Sequence, residues 1–533
     1  MVALVVVRRT DDAGGMTGLP QKHVVIVGGG TAGWLAAHLL KAESARQGLR
    51  LSLTLIESSK VPTIGVGEGT TSVFRGVLQS LGFDEEDFLA KTDATIKYGI
   101  RHRDWRRLGH SYDGPIDDVY ALADKIPGGG SWIDTFCVAA GRSVASPHVF
   151  AALMKDGKAP VADVAGRRVA VSRFHHAYHF DQAKVGAYLR DKAIGVAQID
   201  ALVEGAVHDP DTGHITALTL DTGETVAGDF FIDCTGFRRT LIQSAMGAGW
   251  VSYADALPVN RAMPFWLDLT EDQEIPTYTH AWAQKSGWMW QIPTQGRIGC
   301  GYVYSDRHTT PDAAQAEIEA ALGHKITPRA DIPISAGRLT ETWRGNVLAL
   351  GLASSFLEPL EATSIHGTVV ALLLFCQRHL GALTGTDHDG QSRYNAAIAG
   401  QVDDFRDFIN LHYVSERDDS PFWRDVAADF ILPQVREKLE IWQQRMPEAA
   451  DFSNDLDGLP HVEELLHYPV LDGLGLLNRK VAQTQMAQDR RLQAFARATT
   501  DHLEKQASSV ARQALPHRLW LETLPKEDRT HVG

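Results

Sequence analysis

Near its start the chain carries an apolar run, a glycine-rich turn and a helical stretch in direct succession. Residues 23–27 (HVVIV) are rich in β-branched side chains, as is typical of a buried parallel strand. Gly28, Gly30 and Gly33 follow in G-x-G-x-x-G order, and residues 32–40 are predicted to form a helix. A strand that turns through glycines into a helix begins a Rossmann-like α/β fold, so this succession constrains the fold more than any other part of the chain.

The glycines have separate roles in such a turn. The first allows a tight bend, the second lets a pyrophosphate approach the backbone, and the third lets the helix pack close to the strand. Thr31 and Ala32 open the helix, whose free N–H groups favour phosphate. A second strand, residues 51–56, ends at Glu57, 24 positions after Gly33, where an acid can accept from a ribose 2′-OH. The sequence therefore predicts a dinucleotide site, with a βα turn that binds no ligand as the alternative.

The composition is that of an ordinary globular protein and argues against two classes of partner. Of the 533 residues, 44% are hydrophobic and 22% charged. The net charge is −14 with no long basic run, so nucleic acid is not expected as a partner, and no apolar stretch is long enough to predict a membrane span.

The cysteines form no C-x-x-C pair, which predicts reduced thiols in a cytoplasmic protein and no metal site. Residues 1–19 are predicted to be a disordered extension.

The chain is α/β at first and mostly helical later. Residues 201–233 alternate as strands and hairpins do, with a turn at 209–213. Like the first strand, residues 230–233 and 347–350 run into glycine turns, the latter at Gly351, so the three strands are predicted to share one sheet whose carboxyl edge holds the cofactor. After residue 365 the pattern is helical. Apolar helix faces are predicted within 401–411 and 435–444, the latter with Leu439, Ile441 and Trp442, and a polar amphipathic helix within 484–510.

One segment is more specific than the glycine turn. Residues 287–293 (GWMWQIP) match the W-x-W-x-I-P signature of flavin-dependent halogenases. Further segments match the same family in the same order along the chain: 28–34, 64–70 (the strap loop between the flavin and substrate sites), 94–97, 176–181, 232–236, 356–364 and 417–423. Over residues 24–423 the chain therefore resembles the flavin-dependent halogenases of the tryptophan halogenase type.

The resemblance implies a fold and a division of the chain. The fold is an FAD-binding Rossmann-like module of the glutathione-reductase and flavin-monooxygenase type, packed with a largely helical substrate module. Residues 20–423 are then the FAD-binding halogenase core with insertions from the substrate module. Residues 424–533 are the helical C-terminal part of the substrate module.

The resemblance also implies a chemistry and the residues that perform it. Reduced FAD and O2 oxidise chloride or bromide, which is held by backbone N–H groups at Thr363 and Ser364. The hypohalous acid travels to Lys97, which either donates a hydrogen bond to it or forms a haloamine. Glu361 stabilises the cation of the aromatic ring and removes its proton. Four residues of the signature segment are implied to keep substrate and flavin apart: Trp288, Trp290, Ile292 and Pro293.

These roles have structural alternatives in the sequence itself. Lys97 taken alone is a solvated surface lysine, although its neighbours are apolar. Glu361 taken alone is a glutamate that complements a helix dipole. Trp288 and Trp290 taken alone are core aromatics of a strand.

The partners follow from the same reasoning. No second strand–glycine–helix nucleotide unit is visible in the sequence, so a separate flavin reductase is expected to supply the reduced FAD. The substrate is expected to be an aromatic small molecule, and a homodimer is compatible with the sequence. A flavin monooxygenase that uses NAD(P)H directly is the main alternative, and a flavin-binding protein without catalysis is a third.

The departures from the family concern the halide and the substrate. Ser364 stands where the family usually has glycine, which leaves the halide preference open. The family's tryptophan-specific members clamp the amino acid with aromatic and acidic residues, but residues 461–485 offer only Tyr468, Asp472 and glycines. The region of His110 and Tyr112 also differs from the family's ring-sandwiching residues. An indole-like substrate is therefore predicted in preference to free tryptophan.

Overall fold

A computed structural model describes residues 21–61, 67–116, 131–172, 175–384, 388–452 and 462–525. The extension predicted at residues 1–19 lies outside this range. So do residues 64–66, the first part of the predicted strap loop.

The sheet that carries the glycine turn has six strands. In spatial order they are β10 (Ala197–Asp200), β2 (Leu51–Glu57), β1 (Lys22–Val27), β14 (Phe230–Asp233), β23 (Val347–Ala349) and β22 (Trp343–Arg344). All neighbouring pairs are parallel except β22 with β23. The prediction that the three strands ending in glycine turns share one sheet is confirmed, because β1, β14 and β23 lie side by side.

The glycine turn after β1 is shaped by close backbone contacts. Gly28 has φ +112°, and a Cβ there would lie 2.2 Å from the carbonyl oxygen of Cys234, at the end of β14. A Cβ on Gly33 would lie 1.9 Å from the carbonyl oxygen of Gly28, so this glycine allows the helix to pack on the turn. Helix α1 runs from Thr31 to Arg46, longer than the predicted 32–40, since residues 41–46 are mostly good helix formers.

A second sheet of seven strands carries the W-x-W-x-I-P segment. Its spatial order is β20 (Ile332–Pro333), β16 (Arg261–Asp268), β19 (Arg297–Tyr304), β18 (Gly287–Pro293), β17 (Tyr278–Ala283), β5 (Gly99–Arg103) and β6 (Ser111–Pro115). All its pairs are antiparallel except β17 with β5. Because side chains alternate along a strand, Trp288, Trp290 and Ile292 share one face of β18, and all three are buried.

Three smaller sheets and a hairpin complete the strands. One sheet joins β3 (Gly67–Gly69), β9 (Ala177–Asp181) and β4 (Thr95–Lys97). A second joins β11 (Val203–His208), β12 (Ile215–Leu220) and β13 (Thr225–Ala227), as the alternation predicted, and a third joins β15 (Trp250–Ser252), β21 (Gly337–Leu339) and β24 (Ser355–Phe356). The hairpin is formed by β7 (Val161–Val164) and β8 (Arg167–Ala170). The first of these sheets matters most here, because it aligns the strap loop with Lys97.

The remaining helices cover the sheets and make up most of the C-terminal part. They are α2 (Ser72–Ser80), α3 (Glu85–Thr92), α4 (Ser131–Ala140), α5 (Val149–Lys155), α6 (Gln182–Asp191), α7 (Pro311–Leu322), α8 (Thr363–Leu374), α9 (His388–His412), α10 (Pro421–Asp425), α11 (Pro433–Trp442), α12 (Glu464–Leu474), α13 (Arg479–Gln488), α14 (Arg490–Gln513) and α15 (His517–Glu522). The prediction of a mostly helical part after residue 365 is confirmed.

Two details of the helix prediction were wrong. The single helix predicted within 484–510 is two helices, because the Asp489 side chain accepts from the N–H groups of Arg491 and Leu492 and so starts α14. In α11, Trp442 is buried but Ile441 is 44% exposed. Adjacent residues of a helix point about 100° apart, and in α11 this rotation leaves Ile441 outside the buried face that holds Trp442.

The largest hydrophobic cluster joins distant parts of the chain. It includes Val24 of β1, Trp288 of β18, Trp423 of α10 and Trp520 of α15. Residues on both sides of position 423 thus share one core, and the domain boundary drawn there stays a prediction. None of the helices in the described ranges is long and apolar enough to cross a membrane.

Candidate active site

A single cavity of about 500 Å³ runs from the carboxyl edge of the parallel sheet towards β18 and β4. At one end it is lined by Gly28, Gly30 and Glu57, and at the other by Lys97 and Ser364. The described part of the strap loop, residues 67–69, lines it between them. The cavity therefore links the nucleotide motif with the lysine that the sequence singled out.

The glycine end has the features of a cradle for FAD. Gly30 precedes α1 and a Cβ there would meet nothing within 4 Å, which leaves its N–H side open to a ligand. No side chain caps α1, so the N–H groups of its first turn have no side-chain partner at the helix start. The buried Thr31 Oγ1 has no hydrogen-bond partner among the described residues. Glu57, at the end of β2, lines the cavity beside the glycine turn, since a Cβ on Gly29 would lie 1.7 Å from its Oε2. An open backbone, free N–H groups and a carboxylate on the next strand fit a dinucleotide such as FAD.

Some of the predicted cofactor residues shape the cradle without lining the cavity. Thr31, Ala32, Gly33 and Gly351 do not line the cavity. Gly351 has φ +64°, and its Cβ position would lie 3.1 Å from the Ala32 Cβ, so it allows the third glycine turn to approach α1. Gly33 and Gly351 thus shape the cradle, whereas Gly28, Gly30 and Glu57 form its surface.

The predicted halide residues begin a helix. Ala362 has φ +55°, and this left-handed residue turns the chain into α8, whose first two residues are Thr363 and Ser364. The helix has 12 residues, no side-chain cap and no acidic residue in its first turn. Thr363 and Ser364 both line the cavity. Uncapped N–H groups at a helix start attract an anion through their partial positive charge.

Lys97 is buried, contrary to its reading as a surface lysine. It ends β4 and is 1% exposed. Its Nζ lies 3.0 Å from the position that a Cβ on Gly69 would take, so the strap passes in close contact with the ammonium. Burial lowers the pKa of Lys97 to about 8, against the pull of the nearby Glu361 and Glu68 carboxylates. Burial also raises the pKa of Glu68 to about 7, against the charge of Lys97. The lysine is thus poised between ammonium and amine near neutral pH.

Glu361 lies between two buried histidines. Its Oε1 is 3.2 Å from His102 Nε2 on β5 and 3.0 Å from His412 Nε2 at the end of α9. Burial alone would raise the pKa of Glu361, but the two imidazoles outweigh it and hold the pKa at about 2. Glu361 does not line the cavity itself, yet its charge is close enough to influence Lys97.

The signature segment forms a wall of the cavity. Trp290 and Ile292 line it, whereas Trp288 and Pro293 stand behind. A Cβ on Gly301 of β19 would lie 2.0 Å from the Trp290 ring, so this glycine makes room for the indole. Trp288 Nε1 donates to Glu358 Oε2 over 2.8 Å, which fixes the buried ring.

Three functional candidates escaped the sequence analysis. His102 and His412 were not singled out, although they hold Glu361. Glu358 was quoted only as part of a matching segment, yet it accepts hydrogen bonds from Trp288 and from the Tyr413 hydroxyl, and burial raises its pKa to about 7. Nothing in a single sequence marks these contacts, because the partners lie far apart along the chain and meet only in the fold.

The polar residues near the expected substrate clamp are engaged inside the protein. The Tyr468 hydroxyl donates to the Pro447 carbonyl over 2.9 Å, and Asp472 accepts from the N–H of Val144 over 3.2 Å. Tyr112 stacks on His102 with ring centroids 4.6 Å apart. Tyr468 and Asp472 thus join α12 to residues 447 and 144, and Tyr112 packs on its neighbour within the second sheet.

Fold and site together define an FAD-dependent enzyme in which the cofactor cavity reaches a buried lysine, with a carboxylate that acts on it electrostatically. The chain belongs to the tryptophan halogenase family, whose sequence model matches residues 23–489. It is therefore a flavin-dependent halogenase that acts on an aromatic compound, and the resemblance stated above is confirmed.

Relatives and solved structures agree along nearly the whole chain. A tryptophan 6-halogenase of Streptomyces toxytricini is 32% identical over 95% of this chain and 96% of its own length. Its crystal structure aligns with a TM-score of 0.83 at 29% identity, over 95% of this chain and 100% of that one. A tryptophan halogenase of Shewanella frigidimarina gives 0.84 at 27% identity, over 95% and 98%. A flavin-dependent halogenase of Brevundimonas gives 0.80 at 29% identity, over 94% and 99%. The predicted fold, a Rossmann-like FAD module with a substrate module, is thus confirmed.

Proposed function

We propose that this enzyme attaches bromine or chlorine to an indole-like aromatic compound, with reduced FAD supplied by a separate flavin reductase. The observation that carries the proposal is the continuous cavity, which has the glycine cradle at one end and both Lys97 and the start of α8 at the other. Each residue role below is part of this proposal.

The cradle is assigned to FAD. When bound, reduced FAD supplies, together with O2, the oxidant that converts halide to hypohalous acid. Gly28 and Gly30 would hold the diphosphate against the start of α1, and Glu57 would accept a hydrogen bond from a ribose hydroxyl. A requirement for a separate reductase is supported by the sequence, which shows one strand–glycine–helix nucleotide unit.

The start of α8 is assigned to the halide. The N–H groups of Thr363 and Ser364 are first-turn donors without a side-chain cap. They hold an anion by partial charges alone, so the halide keeps its electrons available for oxidation. The Ser364 side chain narrows this place relative to a glycine.

Lys97 is assigned to the capture of hypohalous acid. An ammonium donates a hydrogen bond to the acid, whereas a neutral amine attacks its halogen and releases water. The pKa of about 8 makes both forms available near neutral pH. The wall formed by Trp290 and Ile292 separates the ring of the substrate from the flavin.

Glu361 is assigned to the attack on the ring. The aromatic carbon forms a bond to the halogen while the O–X bond of the hypohalous acid, or the N–X bond of the haloamine, breaks. Its electron pair leaves on hydroxide, which the Lys97 ammonium protonates to water, or on the Lys97 nitrogen, and the ring becomes a cation that the carboxylate stabilises. The ring then loses the proton from that carbon, its C–H electrons restore aromaticity, and Glu361 accepts the proton. A carboxylate with a pKa of about 2 is a weak base, but an arenium ion is acidic enough to lose its proton to it.

The substrate is assigned from the charged groups of a ligand that this site could not pair. Tryptophan brings an ammonium and a carboxylate that need partners, and an unpaired charge near an apolar pocket is costly. Tyr468 and Asp472 are already bonded to the backbone of this chain. Indole brings neither charge, so we propose indole or a simple substituted indole, with attack at its electron-rich C3.

Product mass analysis tests the proposal. The enzyme is supplied with FAD, NADH, a flavin reductase, bromide or chloride, and equal concentrations of indole and tryptophan. We expect halogenated indole as the main product, with turnover that requires both halide and reductase. Oxygenated product without halide, or rapid FAD reduction by NADH without the reductase, would instead favour the monooxygenase. Efficient halogenation of tryptophan at one position of its benzo ring would reveal a clamp and overturn the substrate assignment.

A further inference from the structure

Glu361, His102 and His412 form a buried cluster that the roles above do not explain. The Glu361 Oε1, His102 Nε2 and His412 Nε2 atoms all lie within 4.8 Å of one another. The side chain of His412 is 0% exposed, that of His102 1% and that of Glu361 12%. Groups so deeply buried must satisfy one another's charges and hydrogen bonds.

The hydrogen bond of His412 to its own helix determines where one of its protons lies. His412 Nδ1 is 2.9 Å from the carbonyl oxygen of Phe408. A carbonyl oxygen only accepts, so Nδ1 must carry a hydrogen. If His412 were neutral, its Nε2 would then present a lone pair to the Glu361 oxygen 3.0 Å away. Two lone pairs at that distance repel each other.

His517 shows the opposite arrangement in the same molecule. Its Nδ1 also donates to a backbone carbonyl, that of Ile275, over 3.0 Å. Its Nε2 accepts from the backbone N–H of Ile96 over 3.2 Å. A lone pair on Nε2 is therefore required, and His517 is neutral with its proton on Nδ1. Burial agrees, since it lowers the pKa of His517 to about 4.

His517 is satisfied as a neutral ring, whereas the Nε2 atom of a neutral His412 would present a lone pair to the Glu361 oxygen. This comparison indicates one additional proton near Glu361. The contacts of Glu361 Oε1 with His412 and His102 have ion-pair distances, but their angles are not those of good hydrogen bonds. Their attraction is thus mainly Coulombic, which favours a charged partner for the carboxylate.

We propose that His412, assisted by His102, is a positioning residue for Glu361: His412 is an imidazolium whose Nε2 proton lies towards Glu361 Oε1 and holds the carboxylate ionised and in place. This role rests on the proposed function of Glu361. His102 is neutral, since burial lowers its pKa to about 4, and its Nε2 lies 3.2 Å from the same carboxylate oxygen. Its ring is fixed by stacking on Tyr112, and its centroid lies 4.9 Å from that of His412.

A divalent metal ion is the competing occupant of the same three atoms. Two imidazole nitrogens and a carboxylate oxygen are ordinary zinc ligands. A metal would bring two positive charges beside a carboxylate that already interacts with Lys97, and it would tie up the oxygen that the ring cation needs. The proton satisfies the same lone pairs with one charge, so it is preferred.

The first test reads the charge of His412 in the resting protein. The full chain is labelled with ¹⁵N-histidine, and its imidazole signals are recorded at pH 7, where His517 serves as the internal example of a neutral ring. We expect His412 to show the signature of an imidazolium. The variant Glu361→Gln keeps the shape of the side chain and removes its charge, so it should convert His412 to a neutral ring and thereby assign the signal.

This result does not depend on halogenation. A neutral His412 in the wild type overturns the positioning role even if the enzyme halogenates as proposed. Stoichiometric zinc in the purified chain that disappears in His412→Gln overturns it too, in favour of a metal.

The second test separates positioning from folding. His412→Gln keeps an uncharged N–H group in the side chain, whereas His38→Gln changes a partly buried histidine that also bonds a backbone carbonyl, that of Leu189. In single turnovers with reduced FAD, we expect His412→Gln to release hypohalous acid to a soluble scavenger at the normal rate. Its ring halogenation should fall about 10–100-fold, as when a group that orients a reactive ligand is lost.

His38→Gln should retain both activities. Unchanged ring halogenation in His412→Gln overturns the proposal. Should the variant fail to fold, the wild-type and Glu361→Gln spectra decide the question. Wild-type protein with an imidazolium but no halogenation would contradict the proposed function and leave the charge assignment standing.

Discussion

The two ends of the cavity are built in different ways. The cofactor end is made of backbone: glycines, the start of α1 and the ends of parallel strands. At the other end Lys97 on β4 lines the cavity, and the cluster that acts with it, Glu361 before α8, His102 on β5 and His412 at the end of α9, lies outside the cavity lining. The first is a short contiguous motif, and the second exists only when four distant segments have folded together.

The two ends also differ in the free-energy cost of burying their polar groups. The cradle offers uncharged N–H groups, whose free energy changes little when the site is empty. The other end buries an ammonium and carboxylates, each of which must be paired or neutralised. Chemistry is therefore concentrated where the fold is locally least favourable, and the predictions below probe this contrast.

The largest effect is expected from Lys97→Met, which keeps the length of the side chain and removes its nitrogen. Ring halogenation should fall about 10²–10⁴-fold, the loss typical of a positioned reactive group. Flavin oxidation by O2 and the release of hypohalous acid should continue, because in the proposed function neither step uses the Lys97 nitrogen. Lys325→Met, at a lysine whose side chain is 90% exposed, is the control. Product formation close to that of the wild type would rule out the assignment of Lys97.

Glu361→Gln should have the next largest effect. It removes the negative charge that stabilises the ring cation, so the rate of ring attack should fall about 10²–10³-fold. Rapid-quench measurements with preformed hypohalous acid isolate this step. Glu341→Gln, at a partly exposed glutamate paired with Arg344, is the control. If ring attack keeps its rate while overall turnover falls, Glu361 acts through Lys97 alone.

The contrast also explains what the sequence predicts. The glycine turn, its three strands and Glu57 follow from local patterns, since residues that are neighbours in sequence also form the cradle. Only the resemblance to a family predicted that Lys97 and Glu361 act in one site. No local pattern in residues 95–100 or 356–364 indicates that these two segments meet in the fold. His102 and His412 had no such support and were missed.

The errors in the helical part have a similar origin. The spacing of apolar residues in 484–510 correctly predicted helix on both sides of Asp489, but it did not reveal the break there. The Asp489 side chain bonds to nearby backbone N–H groups and so begins a new helix instead of continuing the first one. Ile441 looks like a core residue by its type alone, yet the helix rotates it away from Trp442. Local sequence patterns thus predict which segments are helical more accurately than they predict where a helix ends or which of its faces is buried.

Lys97→Met should also change stability, in a direction opposite to its effect on activity. Burial lowers the pKa of Lys97 to about 8 from 10.5, so below pH 8 the fold must bury an ammonium that the unfolded chain leaves in water. This costs up to about 3 kcal/mol, and the cost disappears as pH rises from about 8 to 10.5. We expect the variant to be about 1–3 kcal/mol more stable at pH 7, with a smaller gain at pH 10.

Urea unfolding of both proteins at the two pH values measures this difference. Equal stability at pH 7, or a gain that grows with pH, would mean that Lys97 is better solvated than its burial indicates.

At the cofactor end, Gly30→Ala and Gly28→Ala should act differently. A Cβ on Gly30 meets nothing within 4 Å, so the empty fold should tolerate it while the methyl group takes space from the diphosphate. FAD binding should weaken by about 1–3 kcal/mol with unchanged melting of the apoprotein. Gly28→Ala should instead lower the melting temperature, since its Cβ would lie 2.2 Å from a carbonyl oxygen at φ +112°. FAD titration and thermal unfolding of the apoproteins measure both, and tight FAD binding by Gly30→Ala would place the diphosphate elsewhere.

The smallest effect is expected at the proposed halide site at the start of α8. Ser364 is half-buried in the first turn of α8, and its side chain narrows the space beside the N–H groups. Ser364→Gly removes this crowding but keeps both N–H groups, so the larger ion should gain. Interactions at a helix start are worth about 0.3–1 kcal/mol, which corresponds to a rise of about 2–5-fold in the preference for bromide over chloride. Competition between the two halides measures the product ratio directly, with Ser508→Gly, at an exposed position of α14, as the control. A ratio that stays the same in Ser364→Gly would show that the halide is oxidised away from α8.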